Sequence, residues 1–238
     1  MFRRLLKQGV LAGMAGGVAL ALVLRLIGGG PIGRAVALEG GGGDEMFSRG
    51  TQQLGGMAAS VLYGAALGAV FTVAYAAVRH RLRTPDDWRA AVALAVAGFA
   101  GVFLLPFLKY PANPPAVGDP DTVGRRTALY LVAVAWSLVA TWGGWRAWRA
   151  LVARGTPVPQ AVPATLAVWV GLAVVGLVVL PANADPVDAP ATLIWQFRVA
   201  TVAGAAAFWS VVGMMFGWLR VRDRPDVVVA GVDLDDRS

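Results

Sequence analysis

Five side chains in this sequence have the types and positions to meet a charged or polar substrate: Lys109, Asn113, Arg126, Asn183 and Arg198. Lys109 directly follows an apolar run, where an ammonium either neutralises an adjacent acid or anchors at an interface. Arg198 lies about one and a half turns inside a later apolar run, so its guanidinium needs a partner, a polar cavity or a route to the interface. Arg126 occupies the mouth of another run. Two roles are open to these arginines: bracing a vestibule against aspartate or carbonyl partners, or snorkelling to the interface. Asn113 and Asn183 each end a Pro-Ala-Asn triplet. An asparagine there can satisfy backbone groups that proline leaves unpaired, or present its carbonyl oxygen to an ion.

Carboxylates form a second set. Glu39, Asp44, Glu45, Asp119, Asp121, Asp185 and Asp188 fall in three polar segments between apolar runs. Hard and borderline divalent cations take oxygen ligands, so Glu39, Asp119, Asp121, Asp185 and Asp188 are weaker metal candidates. Seven acids spread over three segments are also an ordinary solvated surface, and that reading is the favoured one. The chain has no cysteine, which excludes disulfides, thiolate metal sites and thiol catalysis. Its one histidine, His80, sits between Arg79 and Arg81, where neighbouring cations disfavour both protonation and metal capture. No His, Cys or carboxylate cluster has ligand spacing, and there is no phosphate loop, nucleophile–base pair or paired intramembrane carboxylate. The chain therefore reads as a non-enzyme without a resident cofactor.

What positions these residues is a set of long apolar elements. Apolar residues make up 57% of the 238, against the 45–50% typical of a soluble domain, and mean hydropathy is +0.62. Six runs approach the roughly 20 residues needed to cross a bilayer: about Leu5–Ile27, Leu54–Val78, Ala90–Leu108, Ala128–Val152, Ala161–Leu180 and Leu193–Leu219. The basic start resembles a signal peptide, but the apolar stretch runs on to Ile27 with glycines at helix-packing spacing, so it reads as a retained first span. With the N-terminus cytoplasmic, inner segments hold fourteen of the 21 Lys and Arg residues and outer segments five. That bias places both termini on the inner, cytoplasmic side of the membrane. The net charge of +7 thus reports topology, since the cations cluster at the ends of apolar runs, and does not point to nucleic acid. The expected fold is all-α: six transmembrane helices in three hairpins, forming one domain over residues 1–222, with 223–238 a polar cytoplasmic tail. Gly9, Gly13 and Gly17, then Gly64 and Gly68, then Gly213 and Gly217, give the small-residue steps that let helices approach closely.

The segment Leu104 to Tyr130 interrupts this pattern. Pro106, Pro111, Pro114, Pro115 and Pro120 predict a stiff, non-helical path at the membrane boundary. Residues 110–137 and 180–210 form an internal repeat. Each runs Pro-Ala-Asn, an Asp–Pro-rich loop, a threonine, an arginine entering the next span, and a Trp-Ser pair.

Pro-Phe-Leu-Lys-Tyr-Pro-Ala-Asn-Pro-Pro at 106–115, followed by Asp-Pro-Asp-Thr at 119–122 and Arg-Arg-Thr-Ala-Leu-Tyr at 125–130, resembles the CbtA family of predicted cobalt transporter subunits. The likeness extends to Ala-Leu-Glu at 37–39, Phe-Ser-Arg-Gly-Thr-Gln at 47–52, Leu-Tyr-Gly at 62–64 and the second Pro-Ala-Asn at 181–183. The resemblance implies a small bacterial integral membrane protein serving cobalt (Co²⁺) uptake, linked to cobalamin metabolism. It also implies a short histidine-bearing partner, CbtB, which would supply any imidazole ligand, as this chain has none on its outer side. The alternatives are a non-transporting assembly subunit of a larger membrane complex, or a transporter of another substrate.

Overall fold

The structure is a computed structural model that describes residues 2–38, 49–82, 84, 86–114, 117–183 and 189–223. Six helices are long and apolar enough to cross a membrane: α1 (Phe2–Ala35), α2 (Gly50–Arg81), α3 (Asp87–Lys109), α4 (Val123–Ala153), α5 (Val158–Val179) and α6 (Ala191–Arg222). The described residues are 89% helical with no strands, and the chain is a multi-pass membrane protein by this architecture.

Two helices run further than their prolines suggest. The first was expected to stop near Ile27, but it passes through a π turn at Leu24–Gly28 and stays helical to Leu38. Pro106 was expected to belong to a non-helical path. Instead α3 carries a π turn at Phe99–Leu104 and continues helically over Pro106 to Lys109. The physical reason is shared. A proline within a helix has no N–H to donate and clashes with the carbonyl four residues back. Widening the preceding turn to i→i+5 spacing moves that carbonyl aside. Pro31 and Pro106 each follow such a turn by two or three residues. The polar segment expected over Gly28 to Gln53 is accordingly helical at both ends, with Arg34 on a helix and a new helix opening at Arg49.

The chain folds as two compact units. One comprises residues 1–25, 44–96 and 204–238, and the other residues 26–43 and 97–203, so α1, α3 and α6 each contribute to both.

In the first unit α1 lies against α2 along their glycine faces. A Cβ on Gly13 would stand 2.1 Å from Gly64 O, one on Gly17 would stand 2.3 Å from Ser60 O, and one on Gly68 would stand 2.0 Å from Gly9 O. Only hydrogen fits between these backbones, which is the small-residue contact the spacing suggests. Phe71, Tyr75, Phe208, Val212 and Phe216 build the core beside this seam, with Phe216 meeting both Phe71 and Tyr75 edge-on. Where α2 ends and α3 begins, Asp87 is 7% exposed and takes two guanidiniums. Arg79 Nε donates to Oδ1 at 2.6 Å and Arg220 Nη2 to Oδ2 at 3.1 Å. Arg79 also donates to Thr84 O at 3.0 Å, which closes the connection. The buried Gln8 amide donates to Leu219 O at 3.2 Å and to Asp223, which also pairs with Arg4 at 2.7 Å.

In the second unit α4 packs on α5 and on the far portion of α3. Leu105, Ala140 and Ala173 form its core, with Trp169 and Leu172 against them. Trp136 donates through Nε1 to Leu172 O at 2.8 Å, and Gly176 leaves the space its ring fills. Phe99, Phe103 and Phe107 stack in sequence along the π-widened turn of α3.

Candidate functional site

The second unit holds a cavity of about 700 Å³ at the end where α3 stops and α4 begins. Lys109, Asn113, Arg126, Asn183 and Arg198 all line it, so the five polar residues singled out above meet at one cavity.

The three cations are each held by an identifiable backbone carbonyl. The last carbonyls of a helix lack intrahelical donors and carry the negative end of its dipole. Lys109 Nζ donates to one of these, Leu177 O in the final turn of α5, at 2.7 Å. Its described partner is therefore a helix end, where a neighbouring acid had been one expectation. Arg198 donates through Nε to Ala112 O at 3.3 Å and through Nη2 to Asn113 Oδ1 at 3.1 Å. That is the carbonyl bracing considered for it, and it assigns Asn113 the job of holding a guanidinium. Arg126 reaches back to Asp119 O at 3.2 Å. Gly118 makes this approach possible: its φ of +110° favours glycine, and a Cβ there would lie 2.6 Å from Arg126 Nη1.

The two Pro-Ala-Asn segments are tied together. Tyr110, just before the first, donates its hydroxyl to Pro181 O, the start of the second, at 2.6 Å. Partial burial pushes that hydroxyl above its ordinary pKa, so it stays a donor across neutral pH. The internal repeat thus supplies both sides of one wall, with Asn113 from one copy and Asn183 from the other.

The carboxylates fare differently. Asp119 accepts the Asp121 N–H on Oδ1 at 2.9 Å, and its carbonyl takes the Thr122 hydroxyl at 2.8 Å, so it shapes the turn that leads into α4. Neither Asp119 nor Asp121 is among the residues lining the cavity. Glu39, Asp185 and Asp188 lie outside the described residues. Among the described residues no three His, Cys, Asp or Glu side chains gather as a metal site.

Tyr110, Thr127 and Tyr130 also line the cavity and were not picked out from sequence. Tyr110 was legible in principle, as an aromatic flanking one repeated triplet. Thr127 and Tyr130 follow Arg126 by one and four residues on the first turns of α4, the same helix face or its edge.

The chain belongs to the CbtA family, described as a probable cobalt transporter subunit, whose model matches residues 2–221. Comparison with curated proteins and with solved structures gives no match. The family description makes this a transporter component and implies a complex with further subunits.

Proposed function

We propose that this chain is the membrane-embedded subunit of a bacterial cobalt-uptake transporter, and that the cavity of the second unit is where its substrate enters. The observation that supports this most is the convergence of Lys109, Asn113, Arg126, Asn183 and Arg198 on one cavity in a family described as a transporter subunit. In this reading the cavity faces outward and both termini lie in the cytoplasm. The bias of Lys and Arg toward the N-terminal, 79–89, 146–154 and C-terminal segments supports that orientation.

The residues then have separate tasks. Lys109 and the Tyr110–Pro181 bond hold the end of α3 to the end of α5, which fixes the wall. Asn113 orients the Arg198 guanidinium, and Asn183 offers an amide from the opposite repeat. A histidine-bearing partner of the CbtB kind would contribute the imidazole ligands that this chain does not carry on that side. Once a divalent cation is released inward, the membrane potential favours its movement by about 2.3 kcal/mol per charge per 100 mV.

Radioactive cobalt uptake into a cobalt-starved bacterial strain lacking other importers tests the reading, with this chain alone, with its histidine-bearing partner, and with an empty vector. Accumulation above the vector in the partner arm is the expected result. Accumulation at vector level in both arms, with the protein present in the membrane, would leave a non-transporting assembly subunit as the better reading.

A further inference from the structure

The charge of the cavity wall says what form of substrate it can hold. Among its described lining residues there are cations and neutral dipoles but no carboxylate. Lys109 and Arg198 hydrogen-bond only to neutral oxygens in their described contacts: Leu177 O, Ala112 O and Asn113 Oδ1. No carboxylate is among those partners, and an ammonium or guanidinium has donors to spare beyond those bonds. Two fixed cations on one wall repel a bare dication, and at the reduced effective dielectric near a protein surface that repulsion is not screened away. The same two groups, with the Asn113 and Asn183 side-chain amides beside them, can form charge-assisted hydrogen bonds to carboxylate or phosphate oxygens. Size agrees with charge. A dehydrated divalent ion is held by oxygens at about 2.0–2.6 Å, whereas about 700 Å³ suits a small molecule.

We propose that this cavity binds an oxyanion-bearing ligand, and that the cobalt it serves arrives as an anionic, oxygen-ligated chelate and not as the free ion. The inference rests on the uptake reading for the identity of the metal, but the anion preference stands on the wall alone. An anionic phospholipid headgroup presents the same chemistry, so the test separates the two sources.

The full chain is placed in nanodiscs of phosphatidylcholine alone, and equilibrium binding of radioactive cobalt is measured with and without excess citrate. The expected result is binding of the citrate complex at least tenfold tighter than that of aqueous cobalt chloride. Lys109→Met and Arg198→Gln should each weaken it about tenfold, the loss typical of one charge-assisted contact, while Lys109→Arg and Arg198→Lys retain most of it. Inorganic phosphate should displace the complex from the unmodified protein, which gives a reading that needs no variant to fold. A parallel set of nanodiscs containing phosphatidylglycerol assigns the source. If that lipid displaces citrate and cobalt binding together, the natural oxyanion is the headgroup; if it does not, the chelate is. Aqueous cobalt binding as tightly as the citrate complex, or phosphate failing to compete, would overturn the proposal. Transport and binding are read independently: uptake without oxyanion binding removes this inference alone, and oxyanion binding without uptake removes the transport reading alone.

Discussion

The glycine seam between α1 and α2 makes the sharpest stability prediction. A methyl group added at Gly13 would have its carbon 2.1 Å from Gly64 O and 2.8 Å from Gly68 Cα. Both obstacles are backbone, so no side-chain rotation relieves them. A carbon–oxygen contact needs about 3.3 Å or more, so the two helices must separate by about 1 Å along the seam. That separation also loosens the reciprocal contacts of Gly9 with Gly68 and of Gly17 with Ser60. Overpacking of this kind costs about 1–3 kcal/mol. Gly171 on α5 is the matched control, because a Cβ there meets nothing within 4 Å. Gly→Ala at an unobstructed helical position stabilises by about 0.4–1 kcal/mol, since it restricts the unfolded chain. Gly13→Ala and Gly171→Ala, purified in the same detergent and unfolded thermally with circular dichroism as readout, should therefore differ by about 1.4–4 kcal/mol, with Gly13→Ala the less stable. Equal stability of the two variants would refute the close-packed seam.

Other consequences follow from single contacts. Asp87→Asn removes the counter-charge from two guanidiniums around a buried site and should cost about 3–5 kcal/mol, visible as lost thermal stability; replacing Arg89, whose pairing with Asp86 is exposed, should change little. Tyr110→Phe deletes the bond to Pro181 that joins the two repeated triplets, and hydrogen exchange around 110–114 should quicken by about fivefold, matching about 1 kcal/mol. Gly176→Ala puts a carbon 2.2 Å from the Trp136 ring. The ring must swing away from Leu172 O, so a drop in stability of about 1–3 kcal/mol should accompany a shift in tryptophan emission.

The six helices were legible because apolar length is a property of the local sequence, and the cation bias needs only counting. The helix ends were less so. Pro106 was read by the usual preference of proline for breaking helices, and the first span was ended at Ile27, whereas a π turn before Pro106 and another before Pro31 let both helices run on. That accommodation depends on the packing of the preceding turn, which a single residue's preference does not contain. The glycine steps signalled close approach, but not that Gly13 would face Gly64 in particular. The polar wall was legible through two features, the duplicated Pro-Ala-Asn and an arginine inside an apolar run. What tied them together was not: Lys109 meets a carbonyl 68 residues away and Tyr110 one 71 residues away. Asp87 went unnoticed as a buried ion-pair centre, although an acid opening an apolar run eight residues after Arg79 was its available sign.

The most direct test of the uptake account is cobalt accumulation in cells carrying Asn113→Ala together with Asn183→Ala, compared with the unmodified chain at equal levels in the membrane. Asn113 holds Arg198 in place and Asn183 lies on the same wall, so the account predicts that the double variant, expressed with the histidine-bearing partner, falls to the vector level. Unchanged accumulation in that double variant would contradict the assignment of this cavity as the entry site.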